Sequence, residues 1–400
     1  MDTEKKLKIL GQQAKFDACG CPAILDKKWL HPSLSSVYPF VYTAIGEGGR
    51  SVRLFKTLQM NACRNNCRYC ANRRDRDFFR TWFTPEELAR IFMEYYRRRL
   101  ADGFFLSSAI VKNSEWTQEK ILETLKILRE RYGYRGYVHT KIMPGISGKL
   151  VQEISRYSDR ISVNLEGINQ KYLSILAPDK NFDILLATLK EISYLNTEKP
   201  LKAGVTTQIV VGASGEKDSE ILKLSRELYK NLHLWRVYYS RFDPVPDTPL
   251  QHQAPCTHLR EVRLYQADFL LRKYGFEPDD FVFNENGNLP EGIDPKLAWA
   301  MMHPEFFPVE INTAPFEKLL RVPGVGRISA TRIVEIRRQT KFLDMEQLKK
   351  IGVRTGKARG YITLNGRFYG TGTGRPVANL IQACRPEEKI PFQPFLWEEI

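Results

Sequence analysis

The chain has 400 residues, 42% of them apolar and 27% charged, which is the balance of a soluble protein with one large domain and one smaller. No stretch approaches the roughly 20 apolar residues of a membrane-spanning helix, and the start Met1-Asp2-Thr3-Glu4-Lys5-Lys6 is too polar for an export signal. A cytoplasmic, reducing location is expected, and the formal net charge of +15 favours an anionic partner, nucleic acid before others.

Residues 1–50 show little periodicity beyond a short helical start over 5–15. Cys19 and Cys21 flank a glycine in a turn, where small buried thiols are the ordinary expectation and a place beside an active site the alternative. From Val52 onward, short apolar runs alternate with amphipathic helical stretches. Strands are predicted over 52–60, 104–111, 136–141, 160–165, 203–211 and 234–239. Helices are predicted over 85–100, 118–132, 147–157, 182–195 and 218–231. The first has a readable start, with Thr84 as N-cap, Pro85 in the first turn and Glu87 three residues on. Strands alternating with helices of this length give a parallel sheet with right-handed crossovers. The fold class is therefore α/β, an open, partial (β/α)6 barrel, and its functional groups gather at the carboxyl ends of the strands.

At the end of the first such strand stands Cys63-Arg64-Asn65-Asn66-Cys67-Arg68-Tyr69-Cys70. Three thiolates can bind three irons of a four-iron–four-sulfur cluster and leave the fourth iron open, and an open coordination position is where a metal centre does chemistry. A zinc site would need a fourth ligand, and the nearest histidines, His31 and His139, are distant in sequence. Disulfides do not suit a chain with seven cysteines, an odd number, in a reducing compartment.

The spacing Cys63-x3-Cys67-x2-Cys70, with Tyr69 before the last cysteine, resembles the radical S-adenosylmethionine (radical SAM) superfamily. The resemblance implies that Cys63, Cys67 and Cys70 hold a [4Fe-4S] cluster whose open iron takes the amino and carboxylate groups of S-adenosylmethionine. One electron, from a donor such as flavodoxin or ferredoxin, then cleaves that cofactor to methionine and a 5′-deoxyadenosyl radical that removes a hydrogen atom from the substrate. It also implies cofactor-binding positions at the strand ends. Tyr69 is expected beside the cluster. Ser107 and Ser108 stand where family members often carry glycines and an acid for the methionine amino group. Asn164 and Glu166 follow the fourth strand and offer an amide and a carboxylate for ribose or methionine, with a capping or salt-bridging acid as the other reading of Glu166. Val210 and Gly212, followed by Glu216, look like a degenerate adenine-contacting edge.

Two further loops are candidates. Asn72-Arg73-Arg74-Asp75-Arg76-Asp77-Phe78-Phe79-Arg80 interleaves basic and aromatic residues, which suits a passing nucleic-acid backbone or a loop that only shields the cluster. The proline-rich stretch from Tyr238 to Pro249 offers Tyr239 and Arg241 at the barrel mouth, as site groups or as loop packing. A covering helix is predicted over 257–274, with Cys256 before it as a structural thiol.

Composition changes after Gly292, where a second domain of all-α character is predicted over 303–365. Val322-Pro323-Gly324-Val325-Gly326 between two short helices, 315–320 and 328–338, resembles the helix–hairpin–helix motif of DNA-binding and DNA-repair proteins. The physical reason is that glycines expose backbone N–H groups at the start of a helix, where the dipole favours a phosphate. A poorer copy follows around Gly352-Val353-Arg354-Thr355-Gly356. Gly324, Val325, Gly326, Arg327, Arg332 and Lys357 are the expected nucleic-acid contacts, in a segment where basic residues far outnumber acidic ones. A helical hairpin used for protein contact, or a degenerate copy that binds nothing, is the plainer alternative. The domain outline is then 1–50 extension, 51–292 barrel with covering helix, 303–365 hairpin domain and 366–400 tail, whose closing aromatics are expected to pack on the body.

Together these features resemble a small group of radical SAM proteins that join a barrel to a C-terminal helix–hairpin–helix domain and are named for DNA modification or repair. The expected function is generation of a 5′-deoxyadenosyl radical against a base or sugar of DNA. RNA such as tRNA is the alternative substrate, and a DNA-binding iron–sulfur protein with a structural or redox-sensing cluster is the alternative class.

Overall fold

The computed structural model describes residues 2–14, 40–45 and 51–370. Cys19, Cys21, His31 and the aromatic tail lie outside the described residues. The chain divides into two compact units. Among the described residues, one comprises those up to 216 together with 227–261, and the other 217–226 and 262–370.

The first unit is built on a seven-stranded sheet whose strands follow one another in sequence order. They are Val41–Ile45 (β1), Ser51–Leu58 (β2), Gly103–Ser107 (β3), Tyr137–Lys141 (β4), Arg160–Ser162 (β5), Val205–Val211 (β6) and Arg236–Arg241 (β7). β1 pairs antiparallel with β2, and every later neighbour is parallel. The six parallel strands are those expected of a partial barrel. β3 and β6 are buried at every position, as strands covered on both faces must be.

The crossovers are the helices Pro85–Arg97 (α2), Ser114–Lys126 (α3), Gly148–Ser155 (α4), Gln170–Leu176 (α5), Phe182–Glu198 (α6) and Asp218–Leu232 (α7), after an amino-terminal helix Thr3–Gln13 (α1). Thr84 caps α2 by accepting from the Glu87 amide at 3.1 Å, and Leu88, Ala89, Ile91, Phe92 and Met93 form its buried stripe. α3 begins four residues before the predicted 118, because Asn113 accepts from the Trp116 amide at 2.8 Å and supplies an earlier cap.

In the first unit two elements were not expected from the sequence. β1 falls in a region without apolar alternation and is held as an edge strand by its pairing with β2. α5 is a short helix started by Asn169, and it lies in what reads as a loop.

The second unit carries most of the helix His258–Lys273 (α8), then Pro295–Met302 (α9), Phe316–Arg321 (α10), Arg327–Ile336 (α11), Met345–Lys350 (α12) and Thr355–Ala358 (α13). A three-stranded sheet of Val309–Glu310 (β8), Ile362–Leu364 (β9) and Arg367–Phe368 (β10) accompanies the hairpins, β8 parallel and β10 antiparallel to β9. This domain is therefore not all-α as expected: strands of two or three residues, β8 paired about 50 positions away, leave no local pattern. This unit reaches further back in the chain than 303. Arg321 spans to Asp280 at 3.1 Å and to the Gly275 carbonyl at 2.9 Å, and Lys296 reaches the Val325 carbonyl at 2.6 Å. Those bonds draw 262–302 into the hairpin's own core.

Candidate metal centre and hairpin unit

The cysteine loop leaves the carboxyl end of β2 and is fixed at both ends by hydrogen bonds. Asn61, fully buried, accepts from the Thr81 amide at 2.6 Å and donates to Gln13 Oε1 at 2.8 Å and to the Phe79 carbonyl at 3.0 Å. The Arg64 amide donates to the Ile110 carbonyl at 2.7 Å, and the Arg68 amide to the Leu176 carbonyl at 2.7 Å. The Asn66 amide donates to Asp179 Oδ2 at 2.5 Å. The loop is thus strapped to the segment after β3 and to the end of α5 with the turn that follows it, so its thiols are presented from a rigid support.

Cys63, Cys67 and Cys70 line one cleft of about 860 Å3, mouth included, with Gln13, Tyr69, Asn72, Ser107, Ser108, Lys141, Asn164, Glu166, Lys180 and Gln208 among its walls. Cys67 is buried and the other two half-buried, and all three are free thiols. Burial foremost pushes the Cys67 thiol up to about 11, with Lys180 opposing, and the Cys70 thiol up to about 12, with the Cys67 charge adding. Thiols so raised are poor anions by themselves, and the positive charge of bound iron is what would hold them deprotonated. The Asn72 amide donates to Cys70 Sγ at 3.4 Å, a bond that orients the sulfur and favours its anion.

The donor set suits a polynuclear cluster better than a single ion. Among the described residues, no three His, Cys, Asp or Glu side chains converge as ligands of one ion. Three thiols around one cleft, each offering one sulfur, fit a cluster in which each iron takes a separate thiolate. The cleft also holds polar groups waiting for a ligand: Ser107 Oγ and Asn72 Oδ1 are buried without a hydrogen-bond partner.

Glu166 is the most constrained residue of the wall. After β5 the chain leaves the ladder for Val163–Leu165, then rejoins it at Glu166, whose amide donates to the Gln208 carbonyl at 3.0 Å and whose carbonyl accepts from Val210 at 2.8 Å. Its φ of 62° is left-handed, an uncommon conformation for a residue with a side chain, and the turn delivers the carboxylate to the cleft. There it meets Lys180 Nζ at 3.0 Å and the Tyr69 hydroxyl. Burial works against the Lys180 ammonium, but Glu166 and the thiols outweigh it and hold the charge firmly in place.

Of the expected cofactor positions, Tyr69, Ser107, Ser108, Asn164 and Glu166 line this cleft. Ser108 Oγ already donates to the Ala109 carbonyl at 2.9 Å, so Ser107 is the serine with capacity left. Val210 and Gly212 do not line it, and β6 contributes Gln208 instead. Gly212 has φ 94°, and a methyl group there would meet Cys256 Cβ at 2.5 Å, which accounts for both the glycine and the buried thiol by packing. Glu216 accepts from the Ser214 amide at 3.1 Å and faces Arg260 at 3.5 Å, and so staples its own loop. Tyr239 is buried and Arg241 pairs with Asp243 at 3.3 Å.

In the loop 72–80 the arginines serve the loop itself. Arg73 Nε donates to Asn66 Oδ1 at 2.8 Å, Arg76 Nε to the Pro246 carbonyl at 3.0 Å and Arg80 to the carbonyls of Arg73, Arg74 and Arg76. This is the shielding arrangement rather than a row of free cations. Gln13, Lys141, Lys180 and Gln208 are cleft residues that sequence reasoning missed, whereas Asn72 heads a loop it named. Only the polar cluster Pro178-Asp179-Lys180-Asn181 gave a signal that could have pointed to one of them.

In the second unit, Gly324 has φ 82°, and a methyl group there would lie 2.5 Å from the Arg354 carbonyl, so the glycine lets the two hairpins touch. The Arg354 amide donates to the Gly324 carbonyl at 2.8 Å. Val325 is buried, Gly326 and Arg327 are half-buried, and Arg332 and Lys357 are exposed. Arg327 Nη1 caps the Lys273 carbonyl at 2.8 Å, and Lys357 pairs with Asp294 at 2.9 Å. Among the described residues, no helix is long and apolar enough to cross a membrane.

Comparison with known proteins agrees with this geometry. The family model of the radical SAM superfamily matches residues 58–228, and that of the helix-hairpin-helix motif matches 306–353. No curated protein matches the chain. Among solved structures, the FeFe-hydrogenase maturase HydG from Carboxydothermus hydrogenoformans is similar at 14% identity and a TM-score of 0.45, over 54% of this chain and 50% of that one. Methylornithine synthase (PylB) is similar at 16% identity and a TM-score of 0.44, over 54% of this chain and 60% of that one. The radical SAM methyltransferase TsrM from Kitasatospora setae, with cobalamin and a [4Fe-4S] cluster bound, is similar at 13% identity and a TM-score of 0.38, over 74% of this chain and 61% of that one. The chain thus spans half to three-fifths of the length of these structures. The matched central segment, 58–228, which contains the three cysteines and all of the cleft except Gln13, is thus a radical SAM domain, of a superfamily whose cofactors are a [4Fe-4S] cluster and S-adenosylmethionine, and a helix-hairpin-helix motif follows it.

Proposed function

We propose that this enzyme modifies or repairs nucleic acid, DNA in the first place, by hydrogen-atom abstraction from a base or sugar. The observation that carries the reading is the presence, in one chain, of a cysteine-lined cleft of the radical SAM type and a basic helix–hairpin–helix unit. Bound in the cleft, the cluster and S-adenosylmethionine would supply a carbon radical strong enough to take hydrogen from an unactivated carbon. Cys63, Cys67 and Cys70 would hold the cluster. Ser107, Asn164, Gln208 and the Glu166–Lys180 pair are the groups with the polarity and placement to orient the cofactor's charged and hydroxylated ends. Tyr69, hydrogen-bonded to Glu166, fixes that carboxylate beside the cysteine loop.

The second unit supplies an affinity for phosphates that does not depend on base sequence. A soluble one-electron carrier of the flavodoxin or ferredoxin class is the reductant this chemistry requires, and a reducing cytoplasm suits an oxygen-sensitive cluster. The test is to incubate DNA with the reconstituted, reduced protein and S-adenosylmethionine without oxygen, digest it, and compare the nucleosides by mass spectrometry. A mass-shifted nucleoside that disappears with Cys70→Ala is the expected result. Unchanged nucleosides from every duplex and single-stranded DNA tried, beside a changed nucleoside from tRNA, would move the substrate to RNA.

A further inference from the structure

A hairpin that grips a phosphate must leave its backbone donors open at the turn. In the first hairpin three of them are in use. The Val325 amide donates to the Val322 carbonyl at 3.1 Å, the Gly326 amide to Ser329 Oγ at 2.8 Å, and the Arg327 amide to the Tyr274 hydroxyl at 3.2 Å. Tyr274 follows the end of α8, and its hydroxyl stands 3.6 Å from where a Gly326 side chain would begin, the position a phosphate oxygen would take. The tyrosine is itself held in place. Lys296 lies over its ring at 4.8 Å while donating to the Val325 carbonyl at 2.6 Å, and Arg327 closes the last turn of α8.

In the second hairpin the amides are in use as well, Gly352 to the Lys349 carbonyl at 3.0 Å and Val353 to the Leu348 carbonyl at 3.1 Å, but this turn carries a cationic rim. Arg332, exposed on α11, reaches the Ile351 carbonyl at 3.2 Å and lies 3.7 Å from where a side chain on Gly352 would begin. Lys349 and Lys350 end α12 immediately before that turn, and both are exposed. Lys349 has only the exposed Glu346 at 3.7 Å, a pair that holds it weakly, and Lys350 makes no ion pair among the described residues.

We propose that the first hairpin is an internal joint, with Tyr274 and Ser329 standing where a phosphate would, and that the nucleic-acid backbone is gripped by the cationic rim of the second hairpin, formed by Arg332, Lys349 and Lys350. This rests on the reading that the unit binds nucleic acid at all. It assigns the contact to side-chain cations at one turn and not to the glycine amides that carry the sequence motif.

The test is the binding of a fluorescent duplex to the full chain, by anisotropy, across a series of salt concentrations. Three proteins are compared: wild type, the triple variant Arg332→Gln/Lys349→Gln/Lys350→Gln, and Ile328→Glu, which puts an anion beside the first hairpin at an exposed position. All substitutions are on the surface, and equal melting temperatures establish that the fold is kept. The triple variant is expected to bind at least tenfold more weakly, with the slope of log affinity against log salt reduced by about 2 to 3, since each phosphate contact contributes about 0.9. Ile328→Glu is expected to stay within threefold of wild type. A tenfold loss from Ile328→Glu, or a triple variant within threefold of wild type, overturns the assignment of the surface. Wild-type protein that binds neither DNA nor RNA overturns the nucleic-acid reading itself, and this inference with it.

Discussion

Lys180 and Glu166 meet at 3.0 Å in the wall of the cysteine-lined cleft, both side chains nearly removed from water. One comes from the turn after α5, the other from a left-handed residue where the chain rejoins the sheet beside β6. The pair therefore ties the support of the cysteine loop to the sheet, and puts one fixed charge of each sign beside the thiols.

Breaking that pair from one side leaves an uncompensated buried charge. Lys180→Met is expected to cost about 3 kcal/mol or more, because the Glu166 carboxylate keeps its desolvation penalty and loses its partner. The double variant Lys180→Met/Glu166→Gln is expected to regain a large part of that loss. Urea unfolding of the metal-free protein reads both without reference to activity. A single variant as stable as wild type would show that the two groups do not depend on one another.

Cys63, Cys67 and Cys70 are expected to act as a set. Replacing Cys67 by Ala should reduce bound iron from about four per chain to near zero after anaerobic reconstitution. Far-ultraviolet circular dichroism should be unchanged, since the loop is held by Asn61, Asn66 and backbone bonds that the substitution leaves alone. Full iron retention would mean that the thiols are not the ligands.

Gly324 is expected to tolerate no side chain. Its φ of 82° and the 2.5 Å approach of the Arg354 carbonyl both penalise Gly324→Ala, by about 2 kcal/mol or more in total. A lower melting temperature with the cluster signal retained would check it. Gly356, where an added methyl would find nothing within 4 Å, is the control expected to change little.

Lys296 gives the second unit a pH dependence. Burial foremost lowers this ammonium to about 7, against the partial support of Asp294. Below pH 7 the lysine is charged in both folded and unfolded chains, and the folded state carries the whole penalty. Between 7 and the ordinary lysine value near 10.4 the folded form is neutral while the unfolded form still binds a proton, so stability rises with pH. A shift of this size corresponds to roughly 5 kcal/mol across that window. Lys296→Met is expected to flatten the rise, measured as unfolding midpoints from pH 6.5 to 10. Parallel curves for the two proteins would show that Lys296 is not buried as described.

The barrel was legible in the sequence because each of its units repeats the same local signal, an apolar run followed by an amphipathic helix. The cysteine loop was legible because its spacing is local too. What escaped was whatever depends on distant chain segments meeting. Gln13, Lys141, Lys180 and Gln208 reach the cleft from four separate elements, and no spacing announces them. The extended run at β6 suggested Val210 and Gly212, which share the face of Gln208, but they lie further along the strand, where Gly212 packs on Cys256, and of the three only Gln208 lines the cleft. The Pro-Gly-Val-Gly hairpin was plain in sequence, whereas its occupation by Tyr274, 53 positions away, is a property of the folded unit alone.

The most direct measurement is release of 5′-deoxyadenosine by the anaerobically reconstituted, reduced protein, with duplex DNA, single-stranded DNA, tRNA or no nucleic acid, beside a Cys67→Ala control. Release that rises at least tenfold with DNA, and is absent in the control, is the expected result. Release equal in all four conditions would contradict a nucleic-acid substrate, and none from protein with a full cluster would contradict radical chemistry altogether.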